Sequence, residues 1–167
     1  MTASEVLPAL VLSALVRREA TVAVAESLTG GLIGAALTTP SGASAAFAGG
    51  VIAYATELKA RLLGVPADLL AREGAVHPEV AAAMAVGVRA LARADYGLAV
   101  TGVAGPDPQD GRPVGTVHVA VAGPGDRVWH RDLLLDGSRE NIRTDTCQEA
   151  LDLLLGVLQV NSGEHSG

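Results

Sequence analysis

The chain reads as an α/β protein, a single-domain three-layer α/β/α sandwich built on a mixed sheet. Three observations predict this. Short apolar, β-branched runs at 21–25, 49–54 and 96–101 alternate with helical stretches, the pattern of parallel strands joined by helices. Two alternating runs, 114–122 and 127–135, then follow with only Gly123-Pro124-Gly125-Asp126 between them, which makes an antiparallel hairpin. The length of 167 residues suits one domain with a real core.

The elements follow in order. Residues 4–19 place Val6, Leu10, Leu12, Leu15 and Val16 at helical spacing, with Arg17 and Arg18 at the C-terminal end of the helix dipole. The run 21–25 is a buried strand, and 32–37 a short helix stopped before Pro40. The small residues 41–47 form one helical turn or a loop. A second strand covers 49–54. Thr56 caps a helix to Leu63, which Gly64 ends, and another helical piece spans 66–72. Residues 79–93 repeat Val80, Met84, Val88 and Leu91 at helical spacing. The strand 96–101 runs into Gly102-Val103-Ala104-Gly105-Pro106. The hairpin, exposed on one face, carries Val117, Val119 and Val121 on the other. Ser138 caps a last helix to about 160, and 161–167 is a polar tail, so the domain spans 1–160. Crossover connections are expected to be right-handed.

Composition narrows the function. Net charge is −6, aromatics are 2% of residues and no basic run occurs, which argues against nucleic-acid binding. The single cysteine, Cys147, excludes an internal disulfide or a cysteine metal cluster, and it fits a small core residue. No signal-peptide pattern or bilayer-length apolar stretch is present, so a cytoplasmic protein without membrane contact is expected. The histidines lack metal-ligand spacing. Hydrophobic content of 49% and an open hairpin edge suggest a homo-oligomer.

The chemistry points to three strand ends. Ser27, Tyr54 and Thr101 each follow or finish one early strand, and ligands of open α/β sheets sit at the C-terminal ends of parallel strands. Ala25-Glu26-Ser27-Leu28-Thr29-Gly30-Gly31 joins strand to helix through glycine. Such a turn sets a hydroxyl and free backbone N–H groups at the sheet edge, as a serine nucleophile requires. The amides of Thr29, Gly30 and Gly31 are candidates for an oxyanion hole. A helix cap is the commoner role of such a serine or threonine.

Lysine occurs once, as Lys59, among twelve Lys and Arg residues. Arginine cannot give up its proton, whereas a desolvated lysine can, so Lys59 is a candidate base. A leftover surface lysine fits the composition equally well. Lys59 lies five residues after Tyr54, close enough for both to reach one point, and Tyr54 then shuttles the proton or holds the lysine. Gly102 allows close backbone approach to a ligand, while the loop lacks the lysine and spacing of a nucleotide-triphosphate cradle. Arg139 and Arg143, one helical turn apart, can present guanidinium groups to an anion or form a solvated face.

Together, Ala25-Glu26-Ser27-Leu28-Thr29-Gly30-Gly31, Tyr54-Ala55-Thr56-Glu57-Leu58-Lys59, Gly74-Ala75-Val76, Thr101-Gly102-Val103-Ala104-Gly105-Pro106 and Pro113-Val114-Gly115-Thr116-Val117 resemble the CinA C-terminal domain family. The motifs stand in the family's order and cover about 5–158. The resemblance implies a nicotinamide-nucleotide amidohydrolase, which converts nicotinamide mononucleotide and water to nicotinate mononucleotide and ammonia, with no cofactor and no metal. It implies Ser27 as nucleophile with Lys59 and Tyr54 as activators, and Ser44, Thr101 and Arg143 in the pocket. It also implies the stand-alone form, since fuller members carry a further N-terminal domain. The loop 107–112 is short and bears on substrate choice. Two other functions fit the same residues: a non-catalytic nucleotide-binding or regulatory domain, and a serine amidase for another small amide.

Overall fold

A computed structural model describes residues 2–164. The element order is α1 (Ala3–Arg17), β1 (Val22–Glu26), α2 (Leu32–Thr38), β2 (Phe47–Ile52), α3 (Thr56–Leu63), α4 (Ala67–Glu73), α5 (Pro78–Ala92), β3 (Tyr96–Gly102), β4 (Thr116–Ala122), β5 (Val128–Leu134) and α6 (Arg139–Glu164). Single 3-10 turns lie at Ala43–Ala45 and Pro124–Asp126. The sheet order is β2-β1-β3-β4-β5. β1 runs parallel to β2 and β3, and β4 and β5 are added antiparallel, so the sheet is mixed as the sequence predicts.

Alternation along each strand divides the core in two. Val22, Val24, Leu98, Val100, Val117, Val119 and Val121 face α1, α2 and α6. Ala23, Ala25, Ala99, Ala120 and Ala122 face α3, α4 and α5. Bulky β-branched residues fill one side, and alanines on the other let α5 come close to the sheet. The hairpin therefore departs from expectation. Its first strand is covered on both faces, because Ala120 and Ala122 leave room for α5, and only β5 keeps an exposed face. Polar partners hold that edge: His118 Nδ1 lies 2.7 Å from Asp132 across the two strands.

Two boundaries matter for the site. The second strand begins at Phe47 and ends at Ile52, leaving Tyr54 in the connection to α3. Ala55, rather than Thr56, stands at the N-cap of α3. The backbone of α6 continues to Glu164, into the expected tail, and 165–167 lie outside the described residues. Among the described residues no helix is long and apolar enough to cross a membrane.

Candidate active site

Parallel pairing of β1 with β2 and β3 brings Ser27, the 53–54 connection and Thr101 to one edge of the sheet. Between Ser27 and α2 the chain turns sharply, with Gly30 at φ 57° and Gly31 at φ 113°, left-handed conformations that suit glycine. The Gly30 amide closes the turn on the Ser27 carbonyl at 3.1 Å. Glu26, the last residue of β1, reaches past Ser27 to the start of α2. Its carboxylate accepts from the amides of Gly31, Ile33 and Gly34 at 3.2, 2.9 and 3.0 Å. An acid directly before a helix start is the legible signal for this, since the first amides of a helix need acceptors. The Gly30 and Gly31 amides, expected to face a ligand, are thus engaged within the turn.

Lys59, in the first turns of α3, points inward and is 1% exposed. Its Nζ donates to Ser27 Oγ at 2.9 Å, to the Ala53 carbonyl at 2.8 Å and to the Tyr54 carbonyl at 3.3 Å. Burial pushes its pKa down to about 8, against a smaller upward pull from Asp110. None of its three partners is an anion, so the charged form gains no ion pair to offset desolvation. The geometry also suits the neutral amine. Two N–H bonds serve the two carbonyls, and the remaining lone pair faces the serine hydroxyl.

The other expected residues lie as follows. Tyr54 contributes its carbonyl to Lys59, but its side chain is 61% exposed and its hydroxyl accepts from Arg139 Nη2 at 3.3 Å. Among the described residues no hydrogen bond joins the phenol to Ser27 or Lys59. Thr101 donates its hydroxyl to the Ala75 carbonyl at 2.8 Å, tying the loop before α5 to the end of β3. Gly102 lies so close to β4 that a Cβ would stand 2.7 Å from the Thr116 carbonyl, so its smallness serves the sheet. Thr29 is fully buried, with a hydroxyl that has no protein partner. Ser44 sits in the 3-10 turn before β2, at the end of the sheet where β1 begins. That is a strand's length from Ser27, about 16 Å. Arg143 donates to the Leu28 and Thr29 carbonyls.

A small polar pocket of about 110 Å³ opens over Ser27, lined also by Leu28, Tyr54, Thr101, Gly102, Ala104, Gly105, Asp107 and Arg139. Whole-ligand sites usually measure ~300–1,000 Å³, so this one takes the reacting end of a ligand and leaves the rest at its mouth. Arg139 stands there, donating to the Gly105 carbonyl and to Tyr54. Asp110 holds the far side of the loop, accepting from the Ala75 amide at 3.0 Å. Cys147 lies elsewhere, in a groove between α1, α2 and α6, its thiol pushed up to about 11 by burial and by Glu26. Among the described residues no cluster of three His, Cys, Asp or Glu side chains could hold a metal ion.

An α/β domain with a buried serine–lysine pair at the ends of parallel strands defines the class. The chain belongs to the CinA C-terminal domain family, which matches residues 4–158. It is 55% identical over 156 residues to a CinA-like protein of Frankia casuarinae, covering 93% of this chain and 36% of that protein. A CinA-like protein of Anaeromyxobacter is 51% identical over 155 residues, with 91% and 37% covered. The chain thus spans about a third of the length of these curated relatives. Among solved structures, the competence/damage inducible protein CihA of Agrobacterium tumefaciens superposes with a TM-score of 0.89 at 35% identity, covering 95% of this chain and 97% of that one. The competence damage-inducible protein A of Klebsiella pneumoniae gives 0.90 at 34%, covering 95% and 98%.

Proposed function

We propose that this domain is a serine amidohydrolase acting on the carboxamide of nicotinamide mononucleotide. The observation that carries the reading is the 2.9 Å contact between Lys59 Nζ and Ser27 Oγ, both buried at the ends of parallel strands. A hydroxyl is a weak nucleophile until a neighbour takes its proton. Neutral Lys59 accepts that proton as Ser27 Oγ bonds to the amide carbon. The protonated lysine then delivers it to the leaving nitrogen as the C–N bond breaks, releasing ammonia. Water enters, gives a proton to Lys59 and attacks the acyl carbon. The Ser27 oxygen leaves, recovering its proton from Lys59, and the product is the carboxylic acid.

The pocket's size and the Arg139 guanidinium at its mouth support a ligand with a small amide end and an anionic remainder. Among the described residues the hydrogen-bond acceptors of Arg139 at the mouth are neutral, which suits it to pair with a phosphate. Tyr54 holds that guanidinium from the opposite wall. The expected homo-oligomer belongs to the same reading.

The test is ammonia release by the purified protein from nicotinamide mononucleotide, compared with its riboside, nicotinamide and unrelated amides. Turnover of the mononucleotide in the presence of chelator, with weaker turnover of the others, is expected. Preference for an unrelated amide would leave an amidase of another specificity. Binding without turnover would leave a nucleotide-binding domain.

A further inference from the structure

The arginines of α6 are one helical turn apart, yet they meet different parts of the site. Arg139 lines the pocket. Arg143 does not; its Nε donates to the Leu28 carbonyl at 2.9 Å and its Nη2 to the Thr29 carbonyl at 3.4 Å. Those carbonyls belong to the turn that follows the proposed nucleophile.

The amides of that turn can be accounted for one by one. Gly30 donates to the Ser27 carbonyl, Leu32 to the Thr29 carbonyl, and Gly31, Ile33 and Gly34 to Glu26. The Leu28 and Thr29 amides have no acceptor among the described residues. Of these two residues Leu28 lines the pocket beside Ser27, whereas Thr29 is fully buried. The carbonyl that Arg143 grips at 2.9 Å is that of Leu28 itself. A cation on a peptide oxygen fixes the plane of the unit, and with it the backbone of Leu28.

We propose that Arg143 is a positioning residue that, by gripping the Leu28 and Thr29 carbonyls, holds the turn that presents the Leu28 amide as the oxyanion hole of Ser27, and that it makes no contact with the ligand's phosphate. The inference rests on Ser27 being the nucleophile, as proposed above. It assigns the two α6 arginines different tasks: Arg139 meets the ligand, and Arg143 acts through the turn.

A fluorophosphonate tests this without relying on the natural substrate. Ser27 Oγ bonds to phosphorus, fluoride leaves and the serine proton passes to Lys59, while a phosphoryl oxygen enters the oxyanion hole. In Arg143→Ala the labelling rate of Ser27 should fall by about 10²-fold, the scale of losing one such donor. Arg143→Lys should recover part of the rate, and added methylguanidinium should recover part of it in Arg143→Ala. A residue that merely stabilises the fold would lower the melting temperature without either recovery. With nicotinamide mononucleotide, kcat should fall with little change in KM, and by the same factor for the riboside.

Labelling of folded Arg143→Ala within twofold of wild type would overturn the proposal, as would a loss confined to KM for the phosphorylated ligand. If Arg143→Ala does not fold, Arg143→Lys decides: slower labelling supports the brace and unchanged labelling refutes it. Wild type that is labelled but releases no ammonia from the mononucleotide would sink the substrate reading and leave the brace standing. Wild type that is not labelled at Ser27 would sink both.

Discussion

Glu26 and Lys59 are the two deeply buried charged side chains beside Ser27, 2% and 1% exposed, and their surroundings differ in kind. The Glu26 carboxylate accepts from three backbone amides at the start of α2, a local source of positive potential. Lys59 finds a hydroxyl and two carbonyls and, among the described residues, no carboxylate in hydrogen-bonding contact. A buried anion surrounded by donors is a structural fixture. A buried cation offered only neutral acceptors sits where losing its proton is easy. Burial alone therefore does not mark a catalytic group; what satisfies the charge does.

Substitutions at these positions should separate the two roles. The largest effect is expected at the group both residues serve. Ser27→Ala should lower kcat by about 10⁴-fold or more, since among the described residues no other hydroxyl meets Lys59, while the melting temperature changes little. A near-normal rate would reduce Ser27 to a helix cap and remove the chemical half of the comparison.

Lys59→Met should lower kcat/KM by roughly 10²–10⁴-fold and leave the fold as stable or more so, because an unpaired buried ammonium is replaced by an apolar chain of similar length. The pH dependence has a defined sign. Lys59 releases its proton at about 8 in the fold and near 10.5 in the unfolded chain, so the unfolded chain holds more protons between these values. Its contribution to stability therefore rises with pH across that window, and Lys59→Met should lack that rise. Urea unfolding at several pH values measures both.

Glu26→Ala should show the reverse balance. Three amides, that of Ile33 buried and those of Gly31 and Gly34 half-buried, lose their acceptor, and unfolding in urea should show a loss of about 3 kcal/mol. A stable Glu26→Ala protein would mean that water or a neighbour takes over these amides, and that the carboxylate is no fixture.

The smallest effect is expected at the mouth. Arg139→Ala should weaken binding of the mononucleotide by about 10-fold, as for one charge-assisted hydrogen bond, and leave the riboside unaffected. Isothermal titration with both ligands reads this directly. Equal losses for the two would place phosphate recognition elsewhere.

Much of this was legible in the sequence, for identifiable reasons. Strand-end residues are set by sheet topology, so Ser27 and Thr101 could be placed from the pattern of apolar runs. The solitary lysine stood out against eleven arginines. Backbone groups carry no residue signature, and there the sequence misleads. The Tyr54 carbonyl, not its phenol, meets Lys59. The Gly30 and Gly31 amides are engaged, and among the described residues the pocket-lining amide of this turn without an acceptor is that of Leu28. Spacing on α6 put Arg139 and Arg143 on one face, but long side chains diverge from a common face to meet a loop and a turn. Ser44 could not be located from its neighbours, because the 3-10 turn that holds it belongs to the other end of the sheet.

The solitary lysine also lets the protonation of Lys59 be read directly. Protein grown with ¹³C-labelled lysine carries one side-chain Cε signal, that of Lys59, and its shift against pH reports that one amine. If Lys59 is the base, the midpoint lies near 8, is moved by Ser27→Ala and is accompanied by a rise of kcat/KM over the same pH range. A midpoint near the ordinary value of 10.5, with activity already at its plateau at pH 7, would contradict it: Lys59 would then be a permanently charged group, and Ser27 would need another base.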